Sequence, residues 1–456
     1  MWKKIQLLFS RRWLDAPVGI APLVTLRVVL GAMLLFSTLR FMALGWVDDH
    51  YIYPKFHFKY YGFEWVSELP PTGMYAVHIL LAISSLCVIV GYRYRIAAAL
   101  QFLLFTYTEL VDLTYYLNHY YFVSIATGLL ILAPANRAFS LDAWRNPALR
   151  SLQTPRWSIL IFQVQLGIVY FYAGIWKINY DWLVLALPLK IWIPANDQLP
   201  LIGRFFQEAW LPYLFSWFGM LYDVTIVFWL SWQRTRLWAY ATVVFFHTLT
   251  GLMFQIGVFP LVMIGATLIF FSEEWHTRLW NRLEKSIHSP GLVAGPRPDA
   301  KMPVQTATHR LIFAALALHF TFQLLFPWRY LLYPGNIFWT EEGYRFCWRV
   351  MLMEKAGTAT FFVKDEKTGR EGEVLNGEFL NPHQEKQMAM QPDMILQYAH
   401  FLKKHYERQG LQNPSVRAEV YVTLNARPSR LLFDPALDLS KIEDGWKTKT
   451  WIWSDK

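Results

Sequence analysis

Residues 168–182 read IVYFYAGIWKINYDW, and this stretch decides the predicted fold. An apolar and aromatic run reaches Trp176 and then meets a lone cation, Lys177, with Asp181 following shortly after. Such a run is typical of the end of a membrane-spanning helix. A lysine at this position is usually an anchor whose ammonium reaches the lipid headgroups, but it can also be a working group in a site. The stretch alone leaves both interpretations open.

The composition predicts a polytopic membrane protein. Hydrophobic residues make up 55% of the 456 residues and aromatic residues 18%, whereas charged residues make up only 17%. That balance is too apolar for a soluble protein of this length. The net charge of +10 could indicate a nucleic-acid partner, but the basic residues lie between apolar runs, so membrane topology explains them and no nucleic acid is predicted. Two cysteines, Cys87 and Cys347, predict no disulfide framework.

Apolar runs of spanning or nearly spanning length predict about nine transmembrane helices. They lie near residues 22–44, 73–91, 96–116, 120–134, 157–177, 212–231, 237–252, 255–271 and 308–327. Basic residues follow alternate runs, as Arg93 and Arg95 do after the second. This distribution predicts a cytoplasmic N-terminus and places Lys177 in the non-cytoplasmic half of the membrane. The N-terminus lacks the pattern of a cleaved signal peptide, so the first span is expected to stay in place.

The character of the chain changes near residue 330, which predicts a transmembrane domain over 1–329 and a domain outside the membrane over 330–456. In the second domain, alternation predicts a β-hairpin, an amphipathic pattern predicts a helix, and a further alternating run predicts another strand. These segments are 359–375, 391–408 and 416–424. The predicted fold class is therefore a polytopic α-helical membrane protein with a small C-terminal α+β domain outside the membrane.

Two connecting segments carry their own predictions. Residues 178–210 are rich in Trp, Leu and Pro and predict an interfacial loop with one amphipathic turn over 201–210. Residues 286–306 contain four prolines and predict a flexible cytoplasmic linker.

Polar residues inside the predicted spans are candidates for function because a buried charge in a bilayer is expensive. The candidates in or next to the spans are Glu109, Asp112, Asn118, His119, Gln163, Gln165, Asp223 and His247. The alternative is that these residues satisfy one another as hydrogen-bonding contacts between helices. The histidines lack the spacing of metal ligands, and no glycine-rich phosphate loop is present, so neither a metal nor a nucleotide site is predicted.

Motifs in both predicted domains carry a family resemblance. In the membrane domain they are, in order, 117–119, Asn136, 168–171, 173–174, Lys177, 181–182, Asp223, 246–247 and 254–259. In the outer domain they are 339–340, Tyr344, Trp348, Met351, 380–382, 397–399, Asn425 and 433–435. This order resembles the vitamin K-dependent γ-glutamyl carboxylase family, over most of residues 15–440. The likeness is to a short, bacterial member of the kind grouped under the horizontally transferred transmembrane domain.

The resemblance implies an enzyme that makes a strong base from a cofactor, since no side chain is basic enough to remove a γ-proton from glutamate. The implied cofactor is reduced vitamin K, as phylloquinol or menaquinol, with O2 and CO2 as co-substrates and no metal. Lys177 matches the catalytic lysine that deprotonates the quinol. Desolvation of a lysine in a dry, apolar pocket disfavours its charged form and would let it act as a base near neutral pH.

The resemblance also implies roles for other residues. Asn136, Tyr170 and His247 would line the quinol pocket, and Tyr344, Trp348 and Met351 would lie near the glutamate of a protein or peptide substrate. Possible supporting roles fall to Asp112, Asn118, His119, Gln165, Asp181 and Asp223. The implied location is a bacterial inner membrane with a periplasmic C-terminal domain, or the endoplasmic reticulum membrane with a lumenal one.

Departures from the family pattern keep two alternatives open. Arg137 stands after Asn136 where animal enzymes have histidine, and Trp176 replaces the basic residue before the catalytic lysine. The long C-terminal extension and the cysteine pairing of the animal enzymes have no counterpart. One alternative is a quinol epoxidase that does not carboxylate protein. The other is a non-catalytic membrane protein or carrier in which Lys177 and Asp181 form a simple interfacial pair. The oligomeric state and the identity of the substrate protein are not predicted.

Overall fold

A computed structural model of the protein describes residues 10–254, 256–287 and 307–455. Ten helices of nine residues or more precede the outer domain. They are α1 Ala21–Ala43, α2 Pro71–Val90, α3 Tyr94–Val111, α4 Asn118–Leu132, α5 Trp157–Trp176, α6 Leu211–Ser231, α7 Arg236–Met253, α8 Phe259–Thr267, α9 Glu273–Ile287 and α10 Ala307–Leu325. A helix therefore lies near each of the nine predicted spans.

Within the described residues, five helical segments are long and apolar enough to cross a membrane. These segments are Ala21–Ala43, Pro71–Val90, Trp157–Trp176, Leu211–Ser231 and His309–Leu332, and shorter apolar helices cover Asn118–Leu132 and Phe259–Phe270. The prediction of a mostly helical protein with several apolar helices is confirmed. The count of nine spans stays a prediction.

A buried arginine organises the end of the helical domain that lies opposite Lys177. Arg27 in α1 has no exposed surface and donates hydrogen bonds to the carbonyl oxygens of Ala135, at 2.6 Å, and Ile89, at 3.3 Å. These bonds join α1, the end of α2 and the loop before α5. Beside them, strand β1 Pro17–Gly19 pairs antiparallel with β2 Gln153–Pro155. The N-terminus of α5 is therefore fixed at this end, and its C-terminus at Trp176 reaches the other.

The outer domain contains a four-stranded antiparallel sheet in the order β4-β3-β5-β6. Its strands are β3 Lys355–Lys364, β4 Glu371–Val374, β5 Ser415–Leu424 and β6 Arg430–Leu431, and its longer helices are α11 Pro382–Met388 and α12 Pro392–Arg408. Lys364 pairs with Glu371 across the turn of the predicted hairpin. The hairpin, the helix and the later strand are thus present, and the α+β prediction for the C-terminal region is confirmed.

The outer domain packs directly on the helical domain. Phe58 and Tyr60, from the loop between α1 and α2, are buried in the same hydrophobic cluster as Phe361 and Tyr398 of the outer domain. The backbone amide of Lys55 also donates to the carbonyl oxygen of Phe379 at 2.9 Å. These contacts fix the outer domain on the side where α5 ends.

The connecting segments differ in part from their predictions. The predicted amphipathic turn over 201–210 is only a single 3-10 turn, Gly203–Phe205, because Trp210 already caps α6. Three other short helical turns lie in the described loop 178–210, at Tyr180–Leu183, Leu189–Trp192 and Pro194–Asn196. Apart from 286 and 287, which end α9, the predicted linker 286–306 lies outside the described residues.

Candidate functional site

Lys177 turns inward from the end of α5. Its Nζ donates hydrogen bonds to Asp223 Oδ2, at 2.6 Å, and to the carbonyl oxygen of Ala173, at 3.2 Å. The side chains of Lys177 and Asp223 are each only 6% exposed. The ammonium therefore does not reach toward headgroups as an anchor would. The alternative in which Lys177 pairs with Asp181 is wrong, because Asp181 binds Arg427 of the outer domain instead.

Close approach of α5 and α6 makes the ion pair possible. Gly174 lies against α6 so closely that an added Cβ would sit 2.6 Å from the backbone nitrogen of Val224. Small residues at a helix interface let two backbones approach in this way. The short side chain of Asp223, next to Val224, can therefore reach Lys177, and glycine at 174 sets the geometry of the pair.

The pair lies at the wall of a cavity of about 320 Å³ between α5, α6, α7 and the loop 178–210. The lining residues are Val169, Tyr170, Ala173, Lys177, Trp182, Leu189, Trp192, Leu214, Phe215, Phe218, Gly219, Asp223, Phe245, Phe246, His247, Leu249, Thr250, Met253, Phe254, Phe259, Met263, Val350 and Met351. Among these residues only Lys177 and Asp223 carry a charge when histidine is neutral. Leu214, Phe218 and Phe245 are also exposed, so the cavity opens to the surface between α6 and α7.

A hydroxyl and an imidazole form the second polar group in the cavity. Tyr170 Oη and His247 Nε2 are 2.9 Å apart, and both side chains are buried. The other ring nitrogen, His247 Nδ1, is buried and has no hydrogen-bond partner among the described residues. The structure therefore brings Tyr170 and His247 into the same cavity as Lys177.

Asn136 lies elsewhere. Its Nδ2 donates to Asp142 Oδ2 at 2.9 Å, in the loop that precedes α5, and it does not line the cavity. Since α5 has 20 residues, its two ends are about 30 Å apart at a rise of 1.5 Å per residue. The structure thus does not bring Asn136 together with Lys177. Its role at the quinol stays a prediction that the geometry of this chain does not favour.

The three residues predicted near glutamate occupy different surroundings. Met351 lines the cavity. Trp348 has no exposed surface, stacks on Tyr121 with ring centroids 4.8 Å apart, and donates from Nε1 to Gln323 Oε1 at 3.2 Å. Tyr344 is half-buried beside Phe338, with ring centroids 6.3 Å apart. Only Met351 of the three therefore contacts the cavity.

Some of the predicted supporting residues join the two domains. Asp112 accepts hydrogen bonds from Gln384 Nε2 of the outer domain, at 2.6 Å, and from His57 Nδ1, at 3.0 Å, if that nitrogen carries the proton. Asp181 accepts two hydrogen bonds from Arg427, and these lower the pKa of its carboxyl group although partial burial opposes them. Both carboxylates thus hold the outer domain against the helical domain.

Other supporting residues make contacts between helices and loops. His319 Nε2 and Gln165 Oε1 are 2.9 Å apart, which connects α10 to α5. The ring of His119 packs on Phe259 with centroids 4.8 Å apart. Asn118 Nδ2 donates to the carbonyl oxygen of Arg349 at 2.9 Å. The observed role of these three residues is to connect structural elements.

Sequence reasoning missed two features of the site. The loop 178–210 contributes Trp182, Leu189 and Trp192 to the cavity, although the sequence predicts only an interfacial loop there. Arg349 is buried, and in the sequence it lies between Trp348 and Met351, which are predicted near the glutamate. The motifs of the family resemblance did not include it. Two arginines, Arg345 and Arg349, interrupt the aromatic stretch 338–349, and they were the available signal.

Fold and cavity together define a helical membrane protein with a polar pair in a cavity that opens between α6 and α7 and a C-terminal domain packed over that end. Comparison with protein families adds two matches. Residues 16–275, more than half of the chain, match the HTTM domain. Residues 308–456 match the lumenal domain of the vitamin K-dependent gamma-carboxylase. The chain belongs to the vitamin K-dependent gamma-carboxylase family, so the predicted resemblance is confirmed. The comparison with solved structures found no match.

Proposed function

We propose that this protein couples oxygenation of a reduced naphthoquinone to its epoxide with CO2-dependent carboxylation of glutamate in a protein or peptide. The observation that carries the proposal is the buried pair of Lys177 and Asp223 in an apolar cavity that opens toward the lipid. Lys177 and Asp223 are titratable and carry the only charges in the lining of the cavity. A titratable pair in an apolar pocket is the default candidate for acid–base chemistry. Family membership supplies the class of reaction.

The cavity suits a reduced naphthoquinone such as phylloquinol or menaquinol. Its volume of about 320 Å³ lies at the lower end of small-molecule sites, and its lining is mostly aromatic and aliphatic. The unpartnered Nδ1 of His247 is a buried polar atom that a quinol hydroxyl could satisfy. The exposed side chains of Leu214, Phe218 and Phe245 border the route by which a membrane lipid would enter.

The residues of this chain would position the quinol and move one proton. When bound, the reduced naphthoquinone supplies with O2 the strong base that removes the glutamate γ-proton, and CO2 then captures the carbanion. Lys177 Nζ accepts the proton of a quinol hydroxyl once its own proton has passed to Asp223 Oδ2, which is 2.6 Å away. The hydrogen bond between Tyr170 and His247 holds these two side chains in place, and together they orient the naphthoquinone ring.

The outer domain would present the glutamate at the end of the cavity nearest Lys177. Val350 and Met351 reach the cavity from the segment that follows α10. We infer a periplasmic position for this domain if the protein is bacterial and a lumenal one if it is eukaryotic, with the N-terminus in the cytoplasm. The lipid bilayer and a glutamate-containing protein are the expected partners.

The test incubates purified protein in nanodiscs with reduced vitamin K, O2, labelled bicarbonate and a glutamate peptide, and measures epoxide and fixed label separately. Lys177→Ala alone is a poor probe, because it leaves the carboxylate of Asp223 buried without a counter-charge, at a cost of about 3–5 kcal/mol. The double variant Lys177→Met with Asp223→Asn removes both charges and should keep the thermal unfolding temperature while losing both products. Full epoxide formation by a folded double variant would contradict the proposal.

A second candidate function is quinol epoxidation without protein carboxylation. The observation that favours it is that Lys177, Tyr170 and His247 all line the cavity, whereas Tyr344 and Trp348, two of the three residues predicted near glutamate, do not. Epoxide that depends on Lys177 without fixed label would support this alternative. Neither product from the folded protein would favour the non-catalytic reading.

A further inference from the structure

Arg349 is a buried cation held between aromatic rings. The residue as a whole is only 4% exposed. The guanidinium carbon lies 3.9 Å from the ring centroid of Trp176, 4.6 Å from that of Tyr330 and 5.9 Å from that of Phe338. Ring faces attract a cation, but they do not replace the hydrogen bonds that its five N–H groups make in water.

No carboxylate of the described chain neutralises Arg349. Its Nε and Nη2 are buried without a hydrogen-bond partner there, and no described acidic side chain lies within 4.0 Å. Burial lowers the pKa of its guanidinium, although the nearby groups of Cys347 and Tyr344 and a side-chain hydrogen bond with Tyr330 oppose this effect. The two neighbouring arginines differ. Arg345 pairs with Asp393, and Arg329 donates to the Phe326 carbonyl oxygen and to Cys347 Sγ.

The backbone fixes this cation near the cavity. Asn118 donates to the carbonyl oxygen of Arg349 at 2.9 Å, so the start of α4 holds the residue in place. Its neighbours Trp348 and Met351 have φ of 58° and 52°, a left-handed conformation that costs energy for residues other than glycine. The next two residues, Val350 and Met351, line the cavity. Trp176, under the guanidinium, immediately precedes Lys177.

We propose that Arg349 binds the side-chain carboxylate of the acceptor glutamate. This inference rests on the proposed function and adds to it the group that would distinguish glutamate from glutamine. An unpaired buried cation is costly in the free protein, and that cost is recovered only when an anion arrives. The planar guanidinium matches a carboxylate with two parallel hydrogen bonds, and Nε and Nη2 are the free donors on one edge. The rings of Trp176, Tyr330 and Phe338 keep water from the guanidinium, which strengthens such a pairing.

The experiment measures binding to the full-length protein in nanodiscs and needs no turnover. The probes are two blocked five-residue peptides that differ only in one central residue, glutamate or glutamine, so the glutamate peptide has a single carboxylate. Wild-type protein should bind the glutamate peptide at least tenfold more tightly. In Arg349→Gln the two peptides should bind with affinities that differ by no more than about twofold. The unfolding temperature without peptide should stay equal or rise, because the substitution removes a charge that has no counter-ion.

The matched control is Arg329→Gln, which removes the same charge from a guanidinium that already has protein partners. It should keep the preference for the glutamate peptide. Equal affinity of wild-type protein for both peptides would overturn the inference, as would an unchanged preference in folded Arg349→Gln. Failure of Arg349→Gln to fold would assign the guanidinium to structure and overturn it too. Since binding is measured without quinol, absent epoxide in the activity assay would count against the proposed function alone.

Discussion

At the scale of single residues, the site depends on groups that satisfy one another away from water. Lys177 and Asp223 neutralise each other, and Tyr170 and His247 share one hydrogen bond. A buried polar group that loses its only partner keeps its desolvation cost without compensation. Substitution of one partner should therefore affect the other, which makes each pair testable.

Tyr170→Phe should destabilise the protein by about 1–3 kcal/mol, because both ring nitrogens of His247 would then be buried without a partner. Epoxide formation should fall roughly tenfold, which corresponds to an activation free energy raised by about 1.4 kcal/mol when the positioning of His247 is lost. Thermal unfolding and epoxide assays in nanodiscs measure both effects. The matched control is Tyr222→Phe, which removes a buried hydroxyl from α6 and leaves the hydrogen bond between Tyr170 and His247 in place. Equal behaviour of the two variants would contradict the role given to Tyr170.

At the scale of elements, the contact between α5 and α6 sets the position of the ion pair. Two glycines of α5 face α6, but they differ in clearance. A Cβ on Gly174 would lie 2.6 Å from the Val224 nitrogen, whereas one on Gly167 would lie 3.5 Å from Val227 Cγ1, an ordinary contact. Only the first position requires glycine.

Gly174→Ala should force α5 and α6 apart and destabilise the protein by about 1–3 kcal/mol, as overpacking does in tight interfaces. Epoxide formation should fall as well, because Lys177 and Asp223 would be separated. Gly167→Ala should be neutral or stabilising, since alanine favours the helix by about 0.5–1 kcal/mol over glycine. The comparison of unfolding temperatures decides the point, and a Gly174→Ala protein as stable as Gly167→Ala would show that the helices can adjust.

At the scale of the whole molecule, the outer domain holds the loop that covers the cavity. Asp181 accepts hydrogen bonds from Arg427 at 2.6 and 2.7 Å and from Asn425 at 2.8 Å. Farther along the same loop, Trp192 Nε1 donates to Glu354 Oε2 at 2.6 Å. Trp182 and Trp192 both line the cavity, so the loop is fixed between the cavity and the sheet.

Asp181→Asn should loosen this loop near neutral pH. The folded-state pKa of Asp181 is lowered by Arg427, so its stabilisation is present above the unfolded value of about 3.9 and is lost as pH falls through the folded value. The effect should be modest, about 1 kcal/mol or less, because Arg427 is 44% exposed. Hydrogen exchange of residues 180–185 should rise at pH 7 in the variant, and wild type should approach the variant at low pH.

Glu371→Gln is the control for that prediction. Glu371 accepts two hydrogen bonds from Arg417, but both residues belong to the outer sheet. Its removal should leave the exchange of residues 180–185 unchanged. Equal loosening of the loop by both variants would mean that outer-domain stability, rather than the contact at Asp181, controls the loop.

Local pattern in the sequence was enough to predict the helices, the hairpin and the family. Apolar runs give spanning helices because a backbone in lipid must satisfy its own hydrogen bonds, and alternation around 365–369 gives a two-stranded turn. Lys177 stood out because it is a lone cation directly after such a run and falls at the position of the catalytic lysine in the family resemblance. These features depend on neighbours in the chain, so no tertiary information was needed.

The partners of these residues were decided only by the tertiary structure. Lys177 meets Asp223, which is 46 residues away, and not nearby Asp181, because Gly174 lets α6 approach and Arg427 already binds Asp181. Asn136 shares the family order but lies at the far end of α5. Arg349 looks like any basic residue in the sequence, and only the packing of the outer domain leaves it buried without a counter-ion. Contacts between distant segments depend on which backbones can approach, and this is a property of the folded chain.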